Sequence, residues 1–465
     1  MAATLHRTAR IAIRATKAQR RRCFGLLRSA GDVRALVLDC NRQLREWKLP
    51  PVVSYQALCR EIAGIAFGEL GSVGARSVIR RYSEEWFEAA RRRKAGTAAG
   101  FPRRKKALVP VRYYHGTFCI DGDRLRIPVA RTSAPLVLRL GRVVPYPAET
   151  VRSVTLLCEA GRLYVDVTAA RQAEDRGLDP AAVAGVDPGI IHPFAVVAGE
   201  EALLVSGRGL RAECHLHLAD TKARARHMGR KAPRKGQRGS RRWRKLRRAQ
   251  RRAESRHRRR IHQGQHEAAK AVVAWAIEHK VGTLRVGDPE GICRRDAGRR
   301  QNLRLRNWRR THLIGALKDK AALAGIRVVE VDERGTSSTC PLCWQRVPKP
   351  RGRGFRCPHC GFRGHRDLVG AANIAAQGGG EICGSPRIEH RRVGAPPTRR
   401  DRRRHRHDER RSCLAHGRRE SLGSRSRSPK GPERKTCPSV GRTRAGTPAV
   451  GEDPLAKAFP KGGEG

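Results

Sequence analysis

Residues 328–374 read VVEVDERGTSSTCPLCWQRVPKPRGRGFRCPHCGFRGHRDLVGAANI, and this stretch carries the most specific signal in the chain. It holds two CxxC pairs, Cys340/Cys343 and Cys357/Cys360, with thirteen residues between them. Four cysteine thiolates at such a spacing form the ligand set of a closed, tetrahedral structural zinc site. The alternative is two unrelated cysteine pairs or disulfides, which little else in the sequence favours because nothing in it suggests secretion. We therefore predict a compact zinc ribbon.

Two acidic residues, one upstream of this stretch and one within it, are candidate metal ligands. Asp187 ends an apolar strand in AAVAGVDPGIIHPFAVVAG (181–199), and Asp367 begins a helix of small residues. Either aspartate alone is typical of a turn or a helix cap. Nucleases that use two divalent cations need several carboxylates at the ends of rigid strands and helices, because hard cations prefer oxygen ligands. Together with the α/β pattern around them, the two aspartates predict a Mg²⁺ site.

The composition points to a polyanionic partner. The chain has 465 residues, 100 Lys and Arg against 42 Asp and Glu, and a formal charge of +58. A positive charge of this size predicts nucleic acid as the first partner, although part of the arginine excess is typical of a GC-rich genome. No run of residues approaches transmembrane length, so we predict no membrane partner. The fourteen cysteines, ten of them outside the ribbon, fit a reducing compartment.

Hydrophobic periodicity divides the chain into segments of different character. Alternating residues at the N-terminus predict a strand, which a helical segment follows. Short β-branched runs then predict a barrel or sheet of five or six strands that the first strand joins. Strand, helix and strand follow one another before the ribbon, which predicts an α/β core. The boundaries are 1–16 for the first strand, 17–99 for the helical lobe, 100–178 for the barrel, 179–336 for the core, 337–362 for the ribbon, 363–379 for the end of the core and 380–465 for an Arg-rich tail predicted to be disordered.

A long basic helix lies inside the predicted core, before its last strands. A charge run of this density is usually a solvated face, but it would repel itself unless phosphates neutralised it. We therefore predict that the helix follows a nucleic-acid backbone. The candidate residues are Arg241, Arg242, Arg244, Lys245, Arg247, Arg248, Arg251 and Arg252.

These motifs, in this order, resemble the TnpB (OrfB) family encoded by bacterial insertion sequences, which are miniature relatives of the type V CRISPR effectors. The most specific part is TSSTCPLC…FRCPHCG…HRDLVGAANIA, which is similar to the family's zinc ribbon and third RuvC motif, while GVDPGIIHPFAVV resembles the first. The resemblance implies an RNase H-like (RuvC) core with an inserted zinc ribbon, a wedge β-barrel and a helical recognition lobe. It also implies an RNA-guided DNA endonuclease that uses structural Zn²⁺, catalytic Mg²⁺ and a guide RNA from its own element to cut double-stranded DNA in the bacterial cytoplasm, at the nucleoid.

The chain departs from the family pattern at the second RuvC motif. The family has a strand running into Glu-Asp-Leu, whereas this chain reads LRVGDPEGI, with Gly287 at the position of the glutamate. Another acid must then supply the third carboxylate. We rank Glu333 first, because it ends a strand expected beside the one that ends in Asp187, and Asp288 and Glu290 are the rivals. The predicted catalytic set is Asp187, Glu333 and Asp367.

Two other functions compete with the endonuclease. If no acid replaces the missing glutamate, the chain would be an RNA-guided DNA-binding protein that acts as a transcriptional repressor. The third interpretation is a basic zinc-ribbon protein that binds nucleic acid without a guide, against which the order of the motifs argues.

Overall fold

The computed structural model of the chain describes residues 4–103, 107–234, 236–288, 298–348, 352–377, 379 and 382–394. The helices in this part of the chain are α1 (Lys17–Glu46), α2 (Tyr55–Glu61), α3 (Gly71–Lys94), α4 (Arg208–Gly229), α5 (Arg241–Glu278), α6 (Gly298–Trp308), α7 (Arg310–Leu323) and α8 (Arg366–Ala376). The strands are β1 (Thr4–Arg14), β2 (Val111–Tyr114), β3 (Cys119–Asp121), β4 (Arg124–Ile127), β5 (Leu136–Leu140), β6 (Val151–Glu159), β7 (Arg162–Gln172), β8 (Asp179–Asp187), β9 (Phe194–Ser206), β10 (Val281–Asp288), β11 (Arg327–Asp332), β12 (Gly354–Arg356), β13 (Arg363–His365) and β14 (Ile382–Arg392). Within the described residues, no helix is long and apolar enough to cross a membrane.

The N-terminal half forms a seven-stranded antiparallel sheet in the order β2-β6-β7-β1-β5-β4-β3. The first strand lies between β7 and β5, so the N-terminus joins this sheet as predicted. Helix α1 begins at a capping box in which Thr16 and Gln19 satisfy each other's backbone N–H groups. Its apolar face, with Leu26 and Leu27, packs in one hydrophobic core with α3 and with sheet residues such as Leu138. The helical segment and the sheet therefore share a core.

The second half is built on a five-stranded sheet in the order β11-β10-β8-β9-β14. Strands β8, β10 and β11 are parallel, and β9 runs antiparallel to β8. Helices α5 and α7 pack on one face through a core that includes the fully buried Trp275. Helix α8 covers the other face, so the sheet is buried between two helical layers, as an α/β core requires.

Close contact between α8 and β8 depends on a glycine. A Cβ atom at Gly185 would lie 2.0 Å from the carbonyl oxygen of Ala371 and 2.5 Å from the backbone nitrogen of Ala375. Real Cβ atoms do not approach backbone atoms this closely, so only glycine lets the helix rest directly on the strand. This contact positions the N-terminus of α8, where Asp367 lies, near the end of β8.

The predicted disorder from residue 380 is wrong for the first part of the tail. Residues 382–392 form β14, which pairs in parallel with β9. The strand lacks a regular apolar pattern. An edge strand pairs through its backbone and does not need one, and the Ile388 side chain is 41% exposed. The rest of the predicted tail, 395–465, lies outside the described residues.

Candidate metal centres and nucleic-acid surface

Three strand ends meet at one edge of the core sheet. Val186 pairs with Val286, and Gly287 and Asp288 pair with Val331 and Asp332. Because β8, β10 and β11 are parallel, their carboxyl ends share an edge, where ligands of α/β sheets usually bind. Asp187 is the last residue of β8, and Glu333 directly follows β11.

The side chain of Glu333 fills the space beside Gly287. A Cβ atom at position 287 would lie 2.6 Å from the Oε2 atom of Glu333, 3.1 Å from its Cβ atom and 2.9 Å from Cδ1 of Ile374. The carboxyl group thus lies where a side chain on residue 287 would begin. Its Oε2 atom is buried without a hydrogen-bond partner among the described residues. A buried oxygen of this kind is costly unless a ligand or water pairs with it.

Burial and like charge raise the pKa of two carboxyl groups at this edge. The pKa of Glu333 rises to about 8, through burial first and then the negative charge of Asp187, against a lowering by Arg310. The pKa of Asp187 rises to about 7, again through burial first and then the charge of Asp367. Each carboxyl group therefore lies within electrostatic reach of the next. A divalent cation between them would offset this repulsion.

Asp367 and Asp187 meet across the first turns of α8. A Cβ atom at Gly370, one turn after Asp367, would lie 2.9 Å from the Oδ2 atom of Asp187. The glycine therefore gives the Asp187 carboxyl group room against the helix. The two aspartates come from opposite ends of the core sequence, and the helix contact joins them.

Asp367 has partners that the sequence analysis missed. His192 Nδ1 lies 2.8 Å from its Oδ2 atom, and Arg353 Nη1 lies 2.5 and 2.8 Å from its two oxygens. Burial alone would raise the pKa of Asp367, but the hydrogen bond from His192 and the charge of Arg353 lower it. His192, His365 and Asp367 also bring potential ligand atoms within 4.8 Å of one another. The His-Pro pair inside the turn after Asp187 was the sequence signal for His192; Arg353 lies in the ribbon loop, where nothing marked it.

The rivals of Glu333 do not fill the same position. Asp288 forms an ion pair with Arg310, which directs its carboxyl group to a different partner. Glu290 lies outside the described residues. The structure thus brings Asp187, Glu333 and Asp367 to one edge of the sheet, and the set of hard oxygen donors fits Mg²⁺.

The four ribbon cysteines converge as the spacing predicts. Their Sγ atoms lie within 4.8 Å of one another, with Cys340 and Cys360 at 3.5 Å and Cys343 and Cys357 also at 3.5 Å. Gly361, at a φ of +72°, closes the second of the two turns that bear the pairs, and its N–H donates to the carbonyl of Cys357. Four convergent sulfur atoms fit a structural Zn²⁺ with no open position. The cluster also packs against Val369 of α8, so the ribbon supports the helix that carries Asp367.

The N-terminal half of α5 exposes all eight predicted basic residues. The helix begins at Ser240, whose hydroxyl accepts a hydrogen bond from the N–H of Trp243. The guanidinium of Arg247 lies 4.8 Å from the centre of the Trp243 ring. None of the eight forms an ion pair with another described residue. Unpaired cations beside an aromatic ring are typical of a surface that binds nucleic-acid phosphates and bases.

Comparison with known proteins supports a type V effector-like chain. Residues 311–374, which include Glu333, the four cysteines and Asp367, match the family model described as the Cas12f1-like TNB domain. The CRISPR-associated endodeoxyribonuclease Cas12f1 of Sulfoacidibacillus thermotolerans is 34% identical over 112 residues, which are 24% of this chain and 25% of that protein. Cas12f1 of Syntrophomonas palmitatica is 26% identical over 120 residues, 25% of this chain and 23% of that protein. The chain thus covers about a quarter of the length of these relatives.

The fold is similar to that of a solved effector complex. The cryo-EM structure of the Cas12f1–sgRNA–target DNA complex superposes with a TM-score of 0.53 and 13% identity, over 78% of this chain and 83% of that chain. At this identity the likeness shows the fold alone. These matches name Cas12f1 proteins, so the finer resemblance to the TnpB family stays a prediction.

Proposed function

We propose that the protein is an RNA-guided DNA endonuclease that hydrolyses phosphodiester bonds with divalent metal ions. The two relatives are endodeoxyribonucleases that each match about a quarter of this chain, and the structure with a similar fold is a complex with guide RNA and target DNA. The exposed cations of α5 supply a surface for such partners. The TnpB-like order of the motifs further suggests an insertion-sequence origin and a guide from the same element, and the protein would act in the bacterial cytoplasm, at the nucleoid.

One observation carries the proposal: the Glu333 carboxyl group fills the space that Gly287 leaves open, beside Asp187. Asp187, Glu333 and Asp367 would hold Mg²⁺. Bound there, the metal would activate a water molecule and stabilise the leaving oxygen.

The protein's other residues orient this set. The Nδ1–H of His192 donates to the Asp367 carboxylate, and this contact fixes the direction of the carboxyl group. The zinc ribbon supports the start of α8 through Val369. The basic half of α5 would neutralise phosphates of the guide or of the guide–target duplex.

The second candidate is an RNA-guided repressor that has lost cleavage, which the glycine at position 287 favours. The two functions separate in one experiment. RNA that co-purifies with the protein is sequenced and mapped to its locus, and the loaded protein is tested for binding and Mg²⁺-dependent cutting of matched DNA. We expect Glu333→Gln to abolish cutting and to spare guide-dependent binding, while Glu290→Gln does little. Guide-dependent binding without cutting by the wild type, at any Mg²⁺ or Mn²⁺ concentration, would establish the repressor.

A further inference from the structure

A cavity of about 370 Å³ lies beside the carboxylate edge. Gly189 and Ile190, the second and third residues after Asp187, form part of its wall, and α4, α5 and α6 form most of the rest. The N–H of Gly189 donates to the carbonyl of His192, whose side chain contacts Asp367. The same tight turn therefore borders both the cavity and the carboxyl groups.

The lining is mostly apolar with a few polar groups. Ile190 and Leu218 contribute aliphatic surface, and Trp308 contributes an aromatic ring. Buried Gln265 donates to the carbonyls of Trp308 and Arg309 at 3.5 and 3.4 Å, which holds the corner between α6 and α7 in place. A pocket with mostly apolar walls, an indole ring and few polar groups suits a flat ligand that has a polar edge.

Positive charge borders the cavity. Arg211 and Arg304 both line it, and neither forms an ion pair with another described residue. Asn307, exposed on the same helix as Arg304, adds an amide at the wall. Unpaired arginines next to an apolar slot match a nucleotide, whose phosphate is anionic and whose base has a flat π face and a polar edge. The volume lies near the lower end of small-ligand pockets, roughly 300–1,000 Å³.

We propose that this cavity binds one base of single-stranded DNA, from a nucleotide next to the phosphate that is cut. The proposal rests on the proposed nuclease function for the position of that phosphate, and it adds a subsite that fixes the register of the strand. A base held against Trp308, with its phosphates near Arg211 and Arg304, would place the neighbouring phosphate at the edge defined by Asp187.

Binding is tested first, without cleavage. The full-length protein is mixed in Ca²⁺ with single-stranded oligonucleotides that carry 2-aminopurine at successive positions, and the fluorescence is recorded. For each register in which the strand binds, we expect 2-aminopurine fluorescence to be quenched at the one position whose base occupies the cavity. Cys214→Phe, which fills the cavity from α4, should remove this quenching, whereas Leu216→Phe, on the same helix but outside the lining, should leave it. Thermal melting checks folding, and Asn307→Ala, at an exposed position, is a second variant that should weaken quenching if Cys214→Phe does not fold.

Cleavage gives an independent readout. In guide-loaded wild-type protein, an abasic site at one position near the cut should lower the cleavage rate roughly 10- to 100-fold, the value of one stacked base. In Cys214→Phe the abasic and the complete strand should be cut at equal rates. Arg304→Ala should weaken substrate binding more than Arg306→Ala, its control on the same helix outside the lining.

The outcomes separate the two proposals. Position-specific quenching without cleavage supports the base site and contradicts the nuclease. Cleavage with no dependence on any single base, together with no quenching that responds to Cys214→Phe, refutes the base site and leaves the nuclease intact. Quenching that persists in Cys214→Phe also refutes it, because the base would then stack elsewhere.

Discussion

The position of Glu333 beside Gly287 predicts that the carboxyl group can be moved back to β10. In Glu333→Ala the candidate metal site loses one carboxylate. In Gly287→Glu/Glu333→Ala a glutamate at position 287 on β10 supplies a carboxylate in its place. We expect the single variant to lose cleavage and the double variant to regain part of it. The physical reason is that the two residues share one space: the 2.6 Å approach between a Cβ at position 287 and Oε2 of Glu333 disappears when residue 333 is alanine.

The structure also gives the size of the effects. Gly287→Ala in the wild type forces a Cβ atom against Glu333 and against Ile374, at 2.9 Å from its Cδ1, and overpacking of this kind costs roughly 1–3 kcal/mol. In the Glu333→Ala background only the Ile374 contact and the 3.1 Å contact to the Cβ of residue 333 remain, so the cost should fall by about 1 kcal/mol. Loss of a metal-binding carboxylate removes several kcal/mol of transition-state stabilisation, on the order of a 10³-fold decrease in rate.

Plasmid cleavage with guide RNA and Mg²⁺ measures the activity, and chemical denaturation measures the free energy of unfolding. Glu330→Ala is the matched control, because Glu330 lies on β11 but forms an ion pair with Lys318 of α7, away from the carboxylate edge. It should cut at the wild-type rate. Cleavage by Glu333→Ala at the wild-type rate would contradict a role of this carboxylate in the metal site. Equal destabilisation of the wild type and of Glu333→Ala by Gly287→Ala would contradict the shared space.

Four further predictions follow from the described contacts. In metal-free protein the free energy of unfolding should fall as the pH rises from about 5 to 8, because Asp187 and Glu333, with pKa values of about 7 and 8, hold protons that the unfolded chain has already released. Each pKa shift is worth at most about 4–5 kcal/mol of stability. In denaturant titrations, Glu333→Gln or added Mg²⁺ should make the free energy of unfolding depend less on pH. Cys357→Ser should release zinc, as measured by metal analysis, while Cys119→Ser, at an exposed free cysteine, should keep one Zn²⁺ per chain. Replacement of several of the eight basic residues of α5 by glutamate should flatten the salt dependence of RNA affinity, and an unchanged slope would make this half of α5 a solvated face. Arg353→Ala should lower the Mg²⁺ concentration for half-maximal thermal stabilisation by roughly threefold to tenfold, because this guanidinium competes with the cation for both oxygens of Asp367; no decrease would contradict that competition.

The convergence of the four cysteines and the position of the strand-end acids could be predicted because each depends on local sequence. Two CxxC pairs bring four sulfur atoms together through their own turns, and an acid at the end of an apolar strand lies at the edge of the sheet wherever the strand is placed. Glu333 followed from this rule once its strand was expected beside the one that ends in Asp187. In the structure Gly287 lies opposite Val331, two residues before Glu333, so positions 287 and 333 are neighbours on adjacent strands.

The partners of Asp367 could not be predicted in the same way. Arg353 lies in the ribbon and reaches Asp367 because β12 pairs with β13 and the N–H of Arg366 donates to the carbonyl of Arg353. His192 lies in the turn after β8 and reaches Asp367 because α8 rests on β8 at Gly185. That contact is tertiary, so no periodicity in the sequence reports it. Strand β14 was missed for a related reason, because backbone pairing at the edge of β9 does not require an apolar pattern.

The position of Glu333 beside Gly287 bears on the choice between nuclease and repressor. A chain that had lost cleavage would have no reason to retain a buried carboxyl group beside the glycine, since its charge is opposed by burial and by Asp187. Such a group destabilises the metal-free fold at neutral pH, and alanine or leucine at position 333 would remove that cost. Its presence is explained if a cation offsets the repulsion, which the nuclease requires and the repressor does not. The glycine at position 287 then marks a site whose third carboxylate comes from the neighbouring parallel strand, where the ends of β10 and β11 are one strand spacing apart.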